Sequence, residues 1–432
     1  MKTFFWLIWG VCLTTSLASE KARILVNPFQ NDGPKEYSWI SAGLTNRVVA
    51  VLGKLKGIQV ITEESRKLAL KEIHLGQSGI LKESTTIQVG EILGANQAVS
   101  GNYSVIGKQI SVTANLLELK TGSIIRTSEF TLSLAKLLSA HKKLVYELFR
   151  EKSKIDIDTL QNIKEDPQLA LSAYKFYAKG LEVMDSKPLL ALDYFRKSLR
   201  LDPEHKSANT YAGYVCSQLA NYSQAQKYFV KAEQLYQAHG EKNTQSYAEL
   251  LRLFGSNYYY IGENTQSLAY YQAAHKIYKQ QAIYQSPDYA DLLYAMGSVE
   301  AVRGKTKQAF QYYKKSKLVY DRIGMKRIVG YANLMYGIGY LYLLRKDFKR
   351  SMLFFQFCED SYQKNNMRHS KYYGDTLFII GRIYEIQGHN GKAVRYIKKS
   401  LGVFRHIPGK NKKVSVEKAR QALLRLEKKN ES

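Results

Sequence analysis

A 42-residue period in the second half of the chain restricts its possible folds more than any other feature. The spacing is shared by a column of glycines, Gly255, Gly297, Gly339 and Gly381. Two aromatic columns keep the same register: Tyr247, Tyr289, Tyr331 and Tyr373, and Tyr236, Tyr278, Tyr320, Tyr362 and Phe404. Periods of about 20–50 residues are typical of stacked repeats, because one repeat cannot bury its apolar face alone. The sequence therefore predicts a solenoid.

Each period has the spacing of two helices joined by a tight turn. The first run places Leu251, Gly255 and Tyr258 on one face, at i, i+4 and i+7. The second run repeats this pattern with Ser267, Tyr271 and Ala274. Small residues in one helix are expected to lie against large ones in its neighbour, since protein cores are densely packed.

The pattern Leu-x3-Gly-x2-Tyr, followed by small, aromatic and small residues, resembles the tetratricopeptide repeat. Six copies are expected over residues 170–406, with a first step of 34 residues and later steps of 42. The longer period is similar to that of kinesin light chain and of bacterial peptide-sensing regulators. Residues 407–432 are expected to form a basic capping helix and tail, whose apolar face is Val416, Ala419, Ala422, Leu423 and Leu426. The resemblance implies a superhelix that binds protein segments.

The first residues of the chain have the features of a secretory signal peptide. Lys2 precedes an apolar run from Phe4 to Leu13, and Ser16-Leu17-Ala18 provides a small-x-small cleavage site. The run is shorter than the roughly 20 apolar residues that span a bilayer. Residues 1–18 are therefore expected to be removed and the protein to be exported to a bacterial periplasm, with association with the outer membrane as an open alternative.

Residues 19–150 lack the repeat and alternate between strand and helix patterns. Strands are expected at 23–29, 58–62, 99–106, 109–119 and 123–131, and helices near 39–55, 85–93 and 134–150. Gly107-Lys108 fits a two-residue hairpin turn. The stretches that carry a family likeness are ILVNPF (24–29), AGLT (42–45), GEILGA (90–95), VSGNY (99–103) and VTANLLELKTG (112–122).

In these stretches the domain resembles the amino-terminal domain of TolB and its relatives in flagellar and curli envelope proteins. The resemblance implies a protein-contact module of the envelope without catalytic residues. Residues 151–169 are expected to be a charged linker. The predicted fold is thus an α+β amino-terminal domain followed by an all-α tetratricopeptide repeat superhelix.

The formal net charge of +27 indicates acidic partners or a solvated basic coat. Residues 391–432 contain 13 Lys/Arg and 3 Asp/Glu. Anionic lipid, an envelope polymer or an acidic protein would suit such a surface, and export makes nucleic acid an improbable partner.

Motifs for catalysis, metal binding and cofactor binding are absent from the sequence. It contains no His-Glu-x-x-His, Cys-x-x-Cys, Walker lysine or Gly-x-Ser-x-Gly pattern. We therefore expect no enzymatic activity, no cofactor and no metal. Cys216 and Cys358 are expected to be buried free thiols, because a solenoid keeps distant repeats apart.

The repeat register predicts which side chains face the inner groove. Relative to the glycine column, the positions six and three before and one, four and five after should point inward. The predicted peptide-binding residues are Glu249, Arg252, Tyr259, Asp291, Tyr294, Asn333, Tyr336, Tyr340, Asp375 and Arg382. Tyrosine offers a large contact area with a polar tip, and the Asn333 amide could bind a peptide backbone. An inward tyrosine could equally pack on the adjacent repeat, and the acidic groups could pair with neighbouring cations.

Two functional classes remain open from the sequence. The first is a non-enzymatic envelope adaptor or scaffold that holds a partner protein or peptide in the repeat groove and contacts an assembly through its amino-terminal domain. The second is a surface-associating protein that binds anionic lipid or envelope polymer through its basic carboxyl end. A peptide sensor is a further alternative.

Overall fold

The structure is a computed structural model that describes residues 22–55, 57–73, 83–150, 171–406 and 411–431. The expected signal peptide and the expected linker lie outside the described residues. The described chain is a mostly helical solenoid preceded by a small region built on one sheet. Among these residues, no helix is long and apolar enough to cross a bilayer.

The amino-terminal domain is built on one mixed sheet. Its strands are β1 Ala22–Val26, β2 Gln30–Asn31, β3 Ile58–Val60, β4 Gln97–Ile106, β5 Gln109–Glu118 and β6 Ser123–Ser133. β1 pairs in parallel with β3 and β4, and β4, β5 and β6 form an antiparallel meander. The alternation in β5 buries Ile110, Val112, Ala114 and Leu116, as the sequence predicts. Gly107, with φ +60°, begins the β4–β5 turn in a conformation that suits glycine.

In its described residues this domain has four α-helices: α1 Trp39–Leu52, α2 Glu63–Glu72, α3 Glu83–Leu93 and α4 Leu137–Phe149. α1 and α4 pack against each other, and α4 also covers β5 and β6. The other side of α1 packs on the first helix of the solenoid. One apolar core therefore continues from the sheet through α1 into the repeats.

Six helix pairs follow in the described chain. Repeat 1 is α5 Leu171–Val183 and α6 Pro188–Leu201, repeat 2 is α7 Lys206–Gln218 and α8 Tyr222–Ala238, and repeat 3 is α9 Gln245–Tyr260 and α10 Asn264–Gln280. Repeat 4 is α11 Pro287–Val302 and α12 Thr306–Arg322, repeat 5 is α13 Val329–Leu344 and α14 Phe348–Lys364, and repeat 6 is α15 Lys371–Ile386 and α16 Asn390–Phe404. A last helix, α17 Asn411–Glu431, packs on repeat 6.

The glycine column exists because an aromatic ring of the same repeat lies against it. A Cβ on Gly255 would be 2.8 Å from the Tyr271 ring, and one on Gly297 would be 2.6 Å from the Tyr313 ring. Both distances are shorter than a carbon–carbon contact of about 3.5–4.0 Å. The expected pairing of small and large residues is therefore present at these positions.

α17 covers the apolar end of repeat 6. Ala419, Ala422, Leu423 and Leu426 pack with Ala393, Ile397, Leu401 and Phe404. Terminal helices of this kind shield the last repeat of a solenoid from water. Cys216 and Cys358 are free and buried, in keeping with the sequence prediction.

Candidate protein-binding surface

The amino-terminal domain covers the inner face of the first repeats. The Tyr174 ring of α5 meets the Trp39 ring edge-on, with centroids 6.2 Å apart. The Arg47 guanidinium lies 4.9 Å from the centre of the same ring. The Tyr177 hydroxyl donates a hydrogen bond of 3.0 Å to the Asn46 side chain. Helix α1 thus occupies the position that a bound partner would take at repeat 1.

Polar contacts extend this interface to repeat 4, along the edge where the first helices begin. Glu241 accepts from Lys54 at 2.9 Å and from Lys206 at 3.0 Å. Burial raises the pKa of Glu241, but the two ammonium groups outweigh this effect and the pKa is lowered. Asp288, at the start of α11, accepts from Thr62 at 2.6 Å and from Ser65 at 2.8 Å. The covered region therefore spans more than half of the repeats.

A cleft of about 600 Å³ separates this domain from repeats 1–4. Two predicted site residues, Glu249 and Arg252, line it together with residues of α1. His205 also lines it, and its Nδ1 accepts from the Ala208 amide to cap α7. Burial, followed by the charges of Arg47 and Lys206, lowers the pKa of His205 to about 3, so the imidazole is neutral near pH 7.

Two further predicted residues bind tyrosines of their own repeats. Asp291 accepts from the Tyr320 hydroxyl, and Asn333 accepts from the Tyr362 hydroxyl at 2.7 Å. Each pair joins the first helix of a repeat to its second helix. The polar column six residues before the glycines thus has a packing role in repeats 4 and 5.

Repeat 6 departs from this arrangement. The buried position that holds tyrosine in repeats 4 and 5 is Phe404 here, and the ring carries no hydroxyl. The corresponding acid, Asp375, instead pairs with Lys371 at 2.5 Å. Burial raises the pKa of Asp375, and the charges of Lys371 and Lys418 oppose that shift.

Three predicted tyrosines pack among other rings on the inner face. Tyr294 stacks on Tyr313 at 5.6 Å, and Tyr336 meets Phe355 at 5.3 Å. Burial raises the pKa of Tyr294 and Tyr336 well above the ordinary tyrosine value. Burial also raises the pKa of Tyr259, with a contribution from neighbouring Tyr260. Each of these three side chains is half-buried.

The most exposed apolar residues on the first helices form a stripe that the residue predictions did not name. Its members lie five residues after the glycine column: Tyr260 (53% exposed), Val302 (60%), Leu344 (52%) and Ile386 (53%). Each of them is the last residue of the first helix of its repeat. We call these four residues the apolar stripe.

The signal for the stripe was available in the sequence. The plus-five column was expected to face inward, and reading it down the repeats gives one apolar residue in each of repeats 3–6. In repeat 2 the equivalent residue is Gln218. Tyr340, a predicted residue one turn before Leu344, is also exposed (41%).

The last predicted residue, Arg382, lies at the far end of the inner face. It pairs with Glu385 and lines a second cleft, of about 560 Å³, between α15 and α17. The predicted residues are therefore spread over three places: the covered cleft, a packed tyrosine region, and the open end near repeats 5 and 6.

Comparison with known proteins gives one family match and several structural likenesses. A tetratricopeptide repeat family model matches residues 144–315. No curated protein sequence matches the chain.

Three solved structures illustrate the structural likenesses. The crystal structure of the APC/C hetero-tetramer Cut9–Hcn1 is 16% identical, with a TM-score of 0.46 over 67% of this chain and 48% of that chain. The protein thus spans about half the length of that structure's chain. The apo form of RapI is 13% identical, with a TM-score of 0.45 over 58% of this chain and 88% of that chain. The LpoB carboxyl-terminal domain from Salmonella enterica is 15% identical, with a TM-score of 0.23 over 27% of this chain and 87% of that chain.

The family match begins before α5 and extends into α12, and so includes all of repeats 1–3. The same helix-pair packing continues from there to repeat 6. The described helix pairs therefore form a solenoid of the tetratricopeptide-repeat type.

Proposed function

We propose that the protein is a non-enzymatic adaptor that holds a segment of a partner protein along the apolar stripe. The amino-terminal domain contacts the beginnings of the first helices as far as repeat 4, so a partner meets their opposite ends, where the stripe lies. The tetratricopeptide repeats supply a rigid frame that presents the stripe. The finer part of the proposal is that this adaptor is exported and serves in assembly of a bacterial cell envelope, with the amino-terminal domain as a second contact.

The observation that carries the proposal is the repetition of exposed apolar side chains at one register position. An exposed position has no packing requirement, yet four successive repeats place Tyr, Val, Leu or Ile there. Neighbouring packed helices lie about 8–10 Å apart, so four side chains extend over roughly 25–30 Å. Contiguous exposed apolar surface of this kind marks protein-interaction sites.

Helix α13 adds to the support. Its sequence, VGYANLMYGIGYLYLL, contains no charged residue, although Tyr340 and Leu344 are exposed. A helix that is apolar on all sides is usually buried on all sides. A bound segment would cover the one side of α13 that the repeats leave open.

A crosslinking experiment with a matched control tests the proposal. A photo-crosslinking amino acid replaces Leu344, on the stripe, or Leu353, which is 63% exposed on α14. We expect a discrete covalent partner in the envelope fraction from the Leu344 position alone. Mass spectrometry identifies that protein, and its affinity for the purified adaptor is then measured by calorimetry.

Leu344→Asp should weaken this affinity at least about tenfold, because a buried leucine contributes about 1.5–3 kcal/mol. Leu353→Asp should leave it unchanged. Equal effects of the two substitutions would contradict a role for the stripe.

Export requires its own test. Expression of the full chain in a bacterial host, followed by fractionation and intact-mass measurement, should give a periplasmic product that begins at Ser19. A cytoplasmic product that retains residues 1–18 would contradict the envelope part of the proposal. The stripe would still stand as a binding surface in that case.

A further inference from the structure

The carboxyl-terminal end of the inner face contains a second concave surface, separate from the apolar stripe. It lies between α15 and α17 and is lined by Phe378, Arg382, Lys413, Val414, Glu417, Lys418, Gln421 and Arg425. Its volume of about 560 Å³ falls within the range of about 300–1,000 Å³ that compact binding sites occupy. We call it the end cleft.

The charge of the end cleft is unbalanced. Arg382, Lys413, Lys418 and Arg425 line it, against the single carboxylate of Glu417. Glu417 accepts from Gln421 at 2.7 Å. Arg382 already pairs with Glu385. Among the described residues, no salt bridge within 4.0 Å involves Lys413 or Arg425.

Two apolar side chains, Phe378 and Val414, line the end cleft together with the cations. Phe378 is partly buried against the cluster that joins α16 and α17, and Val414 is more than half exposed. A cleft lined by both cations and apolar side chains fits a ligand that carries carboxylates and at least one apolar side chain.

We infer that the end cleft binds an acidic polypeptide segment with an apolar anchor residue. Complementary charge sets the orientation of such a segment and excludes basic partners. The anchor side chain lies on Phe378 and Val414, and carboxylates face Lys413 and Arg425. Anionic lipid is the alternative that the vesicle measurement below separates from this one.

The inference goes beyond the proposed function, because it assigns a different surface and names the partner's chemistry. The stripe is uncharged at its four positions, whereas the end cleft discriminates by charge. A substitution that removes one site leaves the other intact, so binding at the stripe and binding at the end cleft can be disproved independently.

A binding assay with a synthetic probe tests the inference on the full mature chain. The probe is a fluorescent hexapeptide, Glu-Phe-Glu-Glu-Leu-Glu, and its control replaces every Glu with Gln. Fluorescence anisotropy is measured at low and high salt, because screening weakens contacts between exposed charges. We expect binding of the acidic peptide that fades with salt, and no binding of the Gln peptide.

Two double variants with the same change in net charge separate the end cleft from general basicity. Lys413→Glu/Arg425→Glu reverses charges in the cleft, and Arg395→Glu/Lys398→Glu reverses exposed charges on α16 outside it. The first should weaken peptide binding about tenfold or more, and the second less than about twofold. Val414→Ser, at an exposed position, should weaken binding about threefold without unfolding the cap.

Three results would overturn the inference. Equal losses in the two double variants would show a general charge effect. Equal affinity for the Glu and Gln peptides would remove the electrostatic basis. Binding to phosphatidylglycerol vesicles that is lost in the cleft variant, without any binding of the acidic peptide, would assign the surface to anionic lipid instead.

Discussion

The early and late parts of the inner face have the same repeat register but different surroundings. At the first turn of α11, Asp288 binds Thr62 and Ser65 of the amino-terminal domain. At the equivalent place in α15, Tyr372 packs near Tyr336, and no other domain covers it in the described chain. The early part is closed by polar and charged contacts, and the late part leaves an uncharged stripe open.

The difference shows that a register position defines a direction but not a role. Glu249 and Asp291 occupy the same column, yet Glu249 lines the covered cleft and Asp291 accepts from a core tyrosine. What decides the role is the neighbour that each repeat meets. In this protein that neighbour is another domain for the early repeats and solvent for the late ones.

The largest expected effect comes from removing the ring at the centre of the covered part. Tyr174→Ala deletes the contact with Trp39 and Arg47 and should lower the free energy of unfolding by about 3–5 kcal/mol, as for other buried aromatics. Without residues 1–18, Trp39 is the sole tryptophan, so its fluorescence in a urea titration reports on this interface. Tyr340→Ala, in the open part, should change stability by less than about 0.5 kcal/mol. Similar losses for the two variants would contradict the division of the face.

A pH titration probes the covered part next. In the folded protein His205 stays neutral down to about pH 3, whereas in the unfolded chain it takes up a proton below about 6.5. The unfolded state therefore gains protons as the pH falls, and the folded state should lose about 2 kcal/mol between pH 7 and pH 5.

His205→Asn is the matched variant, because asparagine also caps helices but does not titrate. It should reduce the dependence of stability on pH in this range. Identical pH profiles for wild type and His205→Asn would contradict the buried neutral imidazole.

Removal of one hydroxyl tests whether the polar column is structural in the late repeats. Tyr362→Phe should cost about 1 kcal/mol by removing the bond to Asn333. Tyr320→Phe should cost about 1.5–3 kcal/mol, because its acceptor Asp291 is a carboxylate. A double-mutant cycle with Asp291→Asn should give a coupling energy above about 0.5 kcal/mol. Strict additivity in urea titrations would argue against the bond.

The smallest effect on stability is expected on the apolar stripe. The triple variant Val302→Ser/Leu344→Ser/Ile386→Ser should unfold within about 1 kcal/mol of the wild type, since each side chain is more than half exposed. The same variant should bind less of a hydrophobic fluorescent dye. A marked loss of stability would mean that the stripe packs within the protein and is not a free surface.

The repeat frame was predictable because its causes are local and periodic. The column of glycines, the facing rings and the apolar side of α17 all follow from spacings within one period, and the structure places them as expected. The alternation in β5 is equally local. The placement of Tyr362 against Asn333 could also have been found, because the two columns lie a constant 29 residues apart and the last member is Phe404.

The covering of the early repeats was not predictable in this way. It depends on single pairs such as Ser65 with Asp288, which are separated by 223 positions and follow no period. Glu241 lies in a connection between repeats, where the register gives no direction. Even groove positions chosen from the correct register, such as Glu249 and Arg252, therefore line a cleft shared with another domain.

The hydroxyl bond between the two helices of repeats 4 and 5 has a mechanical consequence. Each of these helix pairs is held as one rigid unit, so deformation concentrates at the joints between repeats. We expect small rotations at successive joints to add up along the superhelix and to change the superhelical pitch of its late part. A partner that spans the stripe would then bind best at one superhelical pitch and would stabilise the repeats at that pitch.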